Sequence, residues 1–234
     1  MVYQIGIENN VEGRSIAWAL AHPGCFAYGP DGNAALLGMP DSVAEYAAWI
    51  NNHNAGQCWL DTNVIEIHHV DTWDVYFIDE NYEQVNEEGY EVNAWLRYDW
   101  RPLSNQDVER GLKLLTWSRE DLLSSVNDLN QDALEKPYPG ERWNIAGILN
   151  HVGRAEWWYM DRLGMSMTYQ DIPDEPFRRL DVVRSSLQNL LPELVGSKQV
   201  LGVDGQFWSP RKMLRRAVWH ERDHTSHIRK LAGG

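Results

Sequence analysis

The 234-residue chain has two cysteines, three basic residues before position 103 and no unbroken apolar run of about 18 residues. Each scarcity excludes something. Cys25 and Cys58 are too few for a disulfide scaffold and lack metal-type spacing, so a reducing, cytoplasmic setting is expected. With no long apolar run, no membrane span is expected, and no charged-then-apolar leader opens the sequence. Residues 1–102 set only Arg14, Arg97 and Arg101 against 16 carboxylates, and the first lysine is Lys113. A face that binds phosphates needs lysine and arginine, so nucleic acid is not an expected partner. No internal repeat or low-complexity tract is present.

What is there supports a folded protein. Apolar residues make up 43% of the chain, enough for a core. The net charge of −13 falls entirely on residues 1–102, because residues 103–234 balance 18 basic against 18 acidic side chains. So abrupt a change in composition marks a boundary. The expectation is an α+β protein: a small acidic α+β domain over 1–102, followed by an all-α domain over 103–234.

In the first half, residues 2–8 and 14–20 read as strands around a polar turn at 9–13. His22-Pro23-Gly24-Cys25 reads as a turn, and a short extended piece follows to Tyr28. Apolar spacing then becomes helical from Asp31 to about Asn52, with Pro40-Asp41 opening the main helix. Residues 58–68 and 73–78 read as strands, and 89–98 as an edge strand.

The second half is helical in period. Ser104 with Asp107 three residues on is a capping signal for a helix to about Asn127. Residues 143–163 form a second helix stopped by Gly164, and 175–191 a third limited by Pro192. A loop with Gly202 and Gly205 leads to Ser209-Pro210, where the last helix begins. Four amphipathic helices of this length pack naturally as a four-helix bundle.

The last helix carries His220, His224 and His227. At about 100° per residue all three share one stripe with Met213, Ala217 and Leu231. Histidines four apart on one face can bind one ion through converging ring nitrogens, and a third ligand must come from elsewhere. His151, on the apolar edge of the second helix, is the natural donor, since His22, His53, His68 and His69 all belong to the first half. Hydrogen-bonded core histidines are the competing reading of the same spacing. Buried imidazoles without partners are costly, however, and one metal satisfies several together.

Three stretches carry a family resemblance: Trp117-Ser118-Arg119-Glu120-Asp121-Leu122-Leu123; Trp143 with Ile148-Leu149-Asn150-His151-Val152 and Glu156; and Trp208-Ser209 with Lys212-Met213-Leu214, His220-Glu221 and His224. Together they resemble the DinB-like family over residues 104–231. That resemblance implies a four-helix bundle with His151, His220 and His224 as ligands for zinc, nickel or iron. It also implies a small-molecule substrate, such as a low-molecular-weight thiol, and an activity of thiol transfer or hydrolysis. Bundle proteins of this kind are often homodimers. Many relatives have glutamine where this chain has His227, which leaves His227 as an acid/base group, a fourth ligand or a neighbour of the ligands. Trp158 and Tyr159 would wall a pocket, and Glu156 would orient a ligand histidine or sit in solvent.

Residues 3–8, the Pro23-Gly24-Cys25 turn, Gly29 and Ala34-Ala35 resemble the HicB antitoxin family over about residues 1–55. Cys25 reads as structural, with no cation nearby in sequence to activate it. The function expected from all this is a metal-dependent enzyme of the DinB-like kind. The alternative is a non-catalytic, metal-stabilised protein whose acidic first domain binds a basic partner protein.

Overall fold

The computed structural model describes residues 1–60, 62–86 and 88–233 and divides into two compact units. One consists of Met1–Arg101 with Val200–Lys212, the other of Pro102–Gln199 with Met213–Gly234.

The first unit is mixed α+β. Its main sheet is built from β1 (Val2–Val11), β2 (Arg14–Ala19), β3 (Phe26–Gly29) and β4 (Glu66–Asp74), in the order β3-β2-β1-β4. Strand β1 runs antiparallel to β2 and parallel to β4. Every residue from Ser15 to Ala19 is buried, so β2 reads as one apolar run rather than an alternation. Helices α1 (Gly32–Leu37) and α2 (Met39–His53) carry the chain from edge strand β3 to the opposite edge β4. Beside this sheet lie β5 (Tyr76–Ile78), β6 (Gln84–Val85) and β7 (Tyr90–Val92), antiparallel in the order β6-β5-β7. A late hairpin, β8 (Leu201–Val203) and β9 (Gln206–Trp208), completes the unit. It is tied there by Gln206 Nε2, which donates to the carbonyl of Glu91 at 2.6 Å.

The buried Glu8 carboxylate is held inside this unit. It accepts from Trp18 Nε1 at 3.1 Å and from the Ala94 amide at 2.7 Å. Several expected elements differ in extent. The helical stretch expected over 31–52 is two helices meeting at Gly38, the longer one carrying Pro40 in its first turn, where its missing amide is tolerated. The strand expected over 58–68 begins only at Glu66, and Asp61 lies outside the described residues. The strand expected over 73–78 is split at Val75, whose amide turns to the carbonyl of Asn9 at 3.0 Å. Of 89–98, only Tyr90–Val92 is a strand, and a 3-10 turn follows at Arg97–Trp100.

The second unit is helical, with α3 (Asn105–Ser124), α4 (Gln131–Glu135), α5 (Ile145–Asp161), α6 (Pro176–Leu190) and the larger part of α7 (Pro210–Ala232). Ser104 and Asp107 form the capping box: the Ser104 hydroxyl accepts from the Asp107 amide, and the Asp107 carboxylate accepts from the Ser104 amide. Asn144 caps α5 by accepting from the Gly147 amide at 2.8 Å. Gly164, at φ 66°, ends that helix in the left-handed conformation glycine tolerates.

A buried ion network joins the four long helices. Arg119 of α3 donates through Nε to Glu221 of α7 at 2.6 Å and through Nη2 to Glu156 of α5 at 2.9 Å. Arg184 of α6 donates through Nε to Glu156 at 2.6 Å and through Nη2 to Glu221 at 2.7 Å. Ser118 adds a hydroxyl to Glu221, and the two Nη1 groups donate to the carbonyls of Leu180 and Leu115. Burial opposes the Glu221 charge, yet the guanidiniums of Arg119 and Arg184 hold its carboxyl below the ordinary value. Burial likewise opposes the Arg184 charge, and Glu156 and Glu221 raise its pKa in spite of that. The four groups neutralise one another, so none is left as an isolated charge out of water.

Removing one member breaks that balance. Arg184→Met is expected to destabilise the protein by about 3–5 kcal/mol, read from urea unfolding midpoints. A loss under about 1 kcal/mol would mean the network adds no more than an exposed pair.

Candidate metal centre

The second unit places three histidines together. His151 comes from the second turn of α5, and His220 and His224 lie one turn apart on α7. Each offers a ring nitrogen within 4.8 Å of the others. His220 Nε2 lies 3.0 Å from His151 Nε2 and 3.1 Å from His224 Nε2. Donors about 2.1 Å from one ion would lie about 3.0 Å apart at right angles and about 3.4 Å apart at the tetrahedral angle, so these spacings suit a shared cation.

Hydrogen bonding among the rings is a poorer fit. His220 Nε2 faces two nitrogens and has either one proton or one lone pair to offer them. His224 Nδ1 is buried without a hydrogen-bond partner.

The surroundings keep the rings neutral, which is the ligand form. Burial pushes the His220 pKa well below its ordinary value, and His224, His151 and Arg216 push the same way. His224 is lowered to about 3, first by burial and then by His151 and His227. His151 is lowered by burial and by the Arg142 charge.

The other residues expected at the site fall in different places. His227 turns outward: its Nε2 lies 3.0 Å from Glu141 Oε2, and its ring centroid is 6.2 Å from that of His224. Tyr159 is buried with its ring edge-on to His220, centroids 6.1 Å apart. Trp158 is half-buried against Tyr159 at 5.7 Å and beneath the Arg162 guanidinium. Glu156 is neither in solvent nor shown bonded to a histidine, since both its oxygens are taken by Arg119 and Arg184. The indole against His151 is Trp143, stacked at 4.5 Å and 25°. The sequence marks Trp143 as the start of the second helix and within the family resemblance, and carries no signal for Glu141. Trp143 precedes the Asn144 cap of α5, so no helical spacing links it to His151.

Residues 114–228 match the family model of the DinB superfamily, a span just under half of the chain. No curated protein and no solved structure gives a significant match. No helix among the described residues is long and apolar enough to cross a membrane.

A pH dependence follows from the lowered pKa values. In the unfolded chain these histidines titrate near 6.5 and take up protons below it, whereas the folded protein resists doing so. The unfolded state therefore binds more protons in that window, and stability falls as pH drops below about 6.5 toward the folded values. The melting temperature of the metal-free protein is expected to fall between pH 7.5 and 5, and to fall less in a His220→Ala, His224→Ala variant. Equal slopes in the two proteins would remove the histidines as the cause.

Proposed function

We propose that the chain is a metal-dependent enzyme of the DinB-like kind, a thiol transferase or hydrolase acting on a small molecule. In this reading His151, His220 and His224 hold one zinc, nickel or iron ion, and the four long helices pack as a four-helix bundle around it. The observation that carries it is the convergence of three imidazole nitrogens, with His220 buried and His151 and His224 half-buried, at spacings of 3.0 and 3.1 Å. The DinB match across residues 114–228 includes all three. A divalent ion held this way supplies Lewis acidity, bringing a bound thiol or water toward its anion near neutral pH.

The chain's own groups then bind and move protons. Glu141 accepts from His227 Nε2, which orients the ring and leaves Nδ1 as the basic nitrogen of that tautomer. His227 is the acid/base group in this reading. The rings of Tyr159 and Trp143 wall the histidines and limit water around them.

A non-catalytic reading has one observation in its favour, the 16 carboxylates against three arginines in residues 1–102. There the metal is structural and the acidic first unit binds a basic partner protein.

Metal content separates these from a site that holds no metal. Near one zinc, nickel or iron per chain is expected in the parent, and none in His220→Ala, His224→Ala. His227→Ala is expected to keep its metal and lose thiol-transfer or hydrolase turnover. Loss of metal in that variant would instead make His227 a ligand and the site closed. A parent that takes up no metal after reconstitution would sink the proposal.

A further inference from the structure

His220 and His224 are set relative to one another by a single helical turn, but His151 arrives from a different helix and depends on its own rotamer. A ligand set must be held within about 0.5 Å to bind well, so the third ring needs a support of its own. Among the described residues, Trp143 makes the near-parallel contact to it, with centroids 4.5 Å apart and planes at 25°. The rings of His220 and His224 meet His151 edge-on instead, at 63° and 85°.

Trp143 is itself well seated. It packs against the buried cluster that includes Leu122, Ile148, Leu149 and Val152, and the Arg142 guanidinium lies 4.5 Å from its ring centroid. Its seat exists because residue 147 is glycine. A Cβ at Gly147 would stand 2.9 Å from Trp143 Cβ and 3.3 Å from Trp143 Cδ1. The nearer atom is the root of the side chain rather than a flexible tip, so a larger residue at 147 presses on Trp143, and also on the Asn144 Oδ1 cap at 3.2 Å. Gly147 also sits one helical turn before His151, directly beneath the position the indole covers.

We propose that Trp143 is a positioning residue for His151, that Gly147 is the slot which lets it lie over the imidazole, and that the pair pre-organises the site for a divalent cation. The inference rests on the metal reading above. It requires the flat face of an aromatic ring and a residue at 147 without a side chain. Phenylalanine at 143 preserves the first requirement, leucine removes it, and alanine at 147 removes the second.

The test measures zinc affinity by chelator competition and the cobalt(II) absorption spectrum in the full chain, with the parent and His220→Ala, His224→Ala as references. Trp143→Leu is expected to weaken zinc binding about 10–100-fold and to alter the cobalt spectrum, as loss of a group orienting a ligand does. Trp143→Phe is expected to stay close to the parent. Gly147→Ala is expected to weaken binding although alanine is the better helix former. Parent-like zinc affinity in Trp143→Leu overturns the inference, as does parent-like affinity in Gly147→Ala should Trp143→Leu not fold. A lowered melting temperature with an unchanged cobalt spectrum would mean general packing and also overturns it. If the parent takes up no metal, the metal reading itself has failed and the inference goes with it. If only the double histidine variant loses metal, the site stands and the positioning role alone falls.

Discussion

Two arginines and two glutamates, shielded from water, are the constraint on which the helical unit depends. Hydrophobic burial alone would let amphipathic helices slide or rotate at small cost, because apolar contacts have no direction. The network of Arg119, Glu156, Arg184 and Glu221 does have direction, since each guanidinium places its donors in a fixed fork. A helix shifted by one residue would leave a charge without its partner, at a far higher cost than a slipped leucine. The network thus disfavours slipped arrangements of α3, α5, α6 and α7, each of which would strip a buried charge of its partner.

The histidine cluster inherits that order. Glu221 follows His220 directly in α7, and Glu156 lies five residues beyond His151 in α5. The two helices that carry the three imidazoles are therefore the two that carry the acidic members of the network. Side chains on rigid, mutually pinned helices hold their spacing better than side chains on loops, which suits a site whose nitrogens lie 3.0 and 3.1 Å apart. One residue type at a time, the same helices serve fold and chemistry.

Much of this was legible in the sequence, and the rest was hidden for identifiable reasons. The Ser104 and Asp107 box, the Gly164 stop and the stripe holding His220 and His224 are short-range patterns with a physical cause, and they read directly. The ion network left a trace that was passed over: Arg119, Glu156, Arg184 and Glu221 each occupy an apolar-stripe position, spaced three or four residues from buried Leu115, Val152, Leu180 and Ala217. Charges on core stripes in matching numbers of opposite sign indicate partners, but which pairs with which is a tertiary fact. The hairpin at 201–208 was read as loop although Asp204-Gly205 is a type I′ signature, with φ of 50° and 75° at the two residues. Its flanking strands are only three residues each, too short for alternation to announce them. The stacking of Trp143 on His151 could not be read at all, because it depends on the orientation of one indole.

That late hairpin has a bearing on how the protein is made. The first unit takes in Val200–Lys212, where Gly205 lies hard against Ile78 and Gln206 is bonded to Glu91. Ribosomes add roughly 5–20 residues per second, so about 5–20 s separate synthesis of Arg101 from synthesis of Lys212. Throughout that interval the nascent first unit has a vacant place beside β5 and β7, while the segment between must emerge and find its own helices. The order of the genetic message therefore makes the unit that starts first unable to finish until most of the second has been translated.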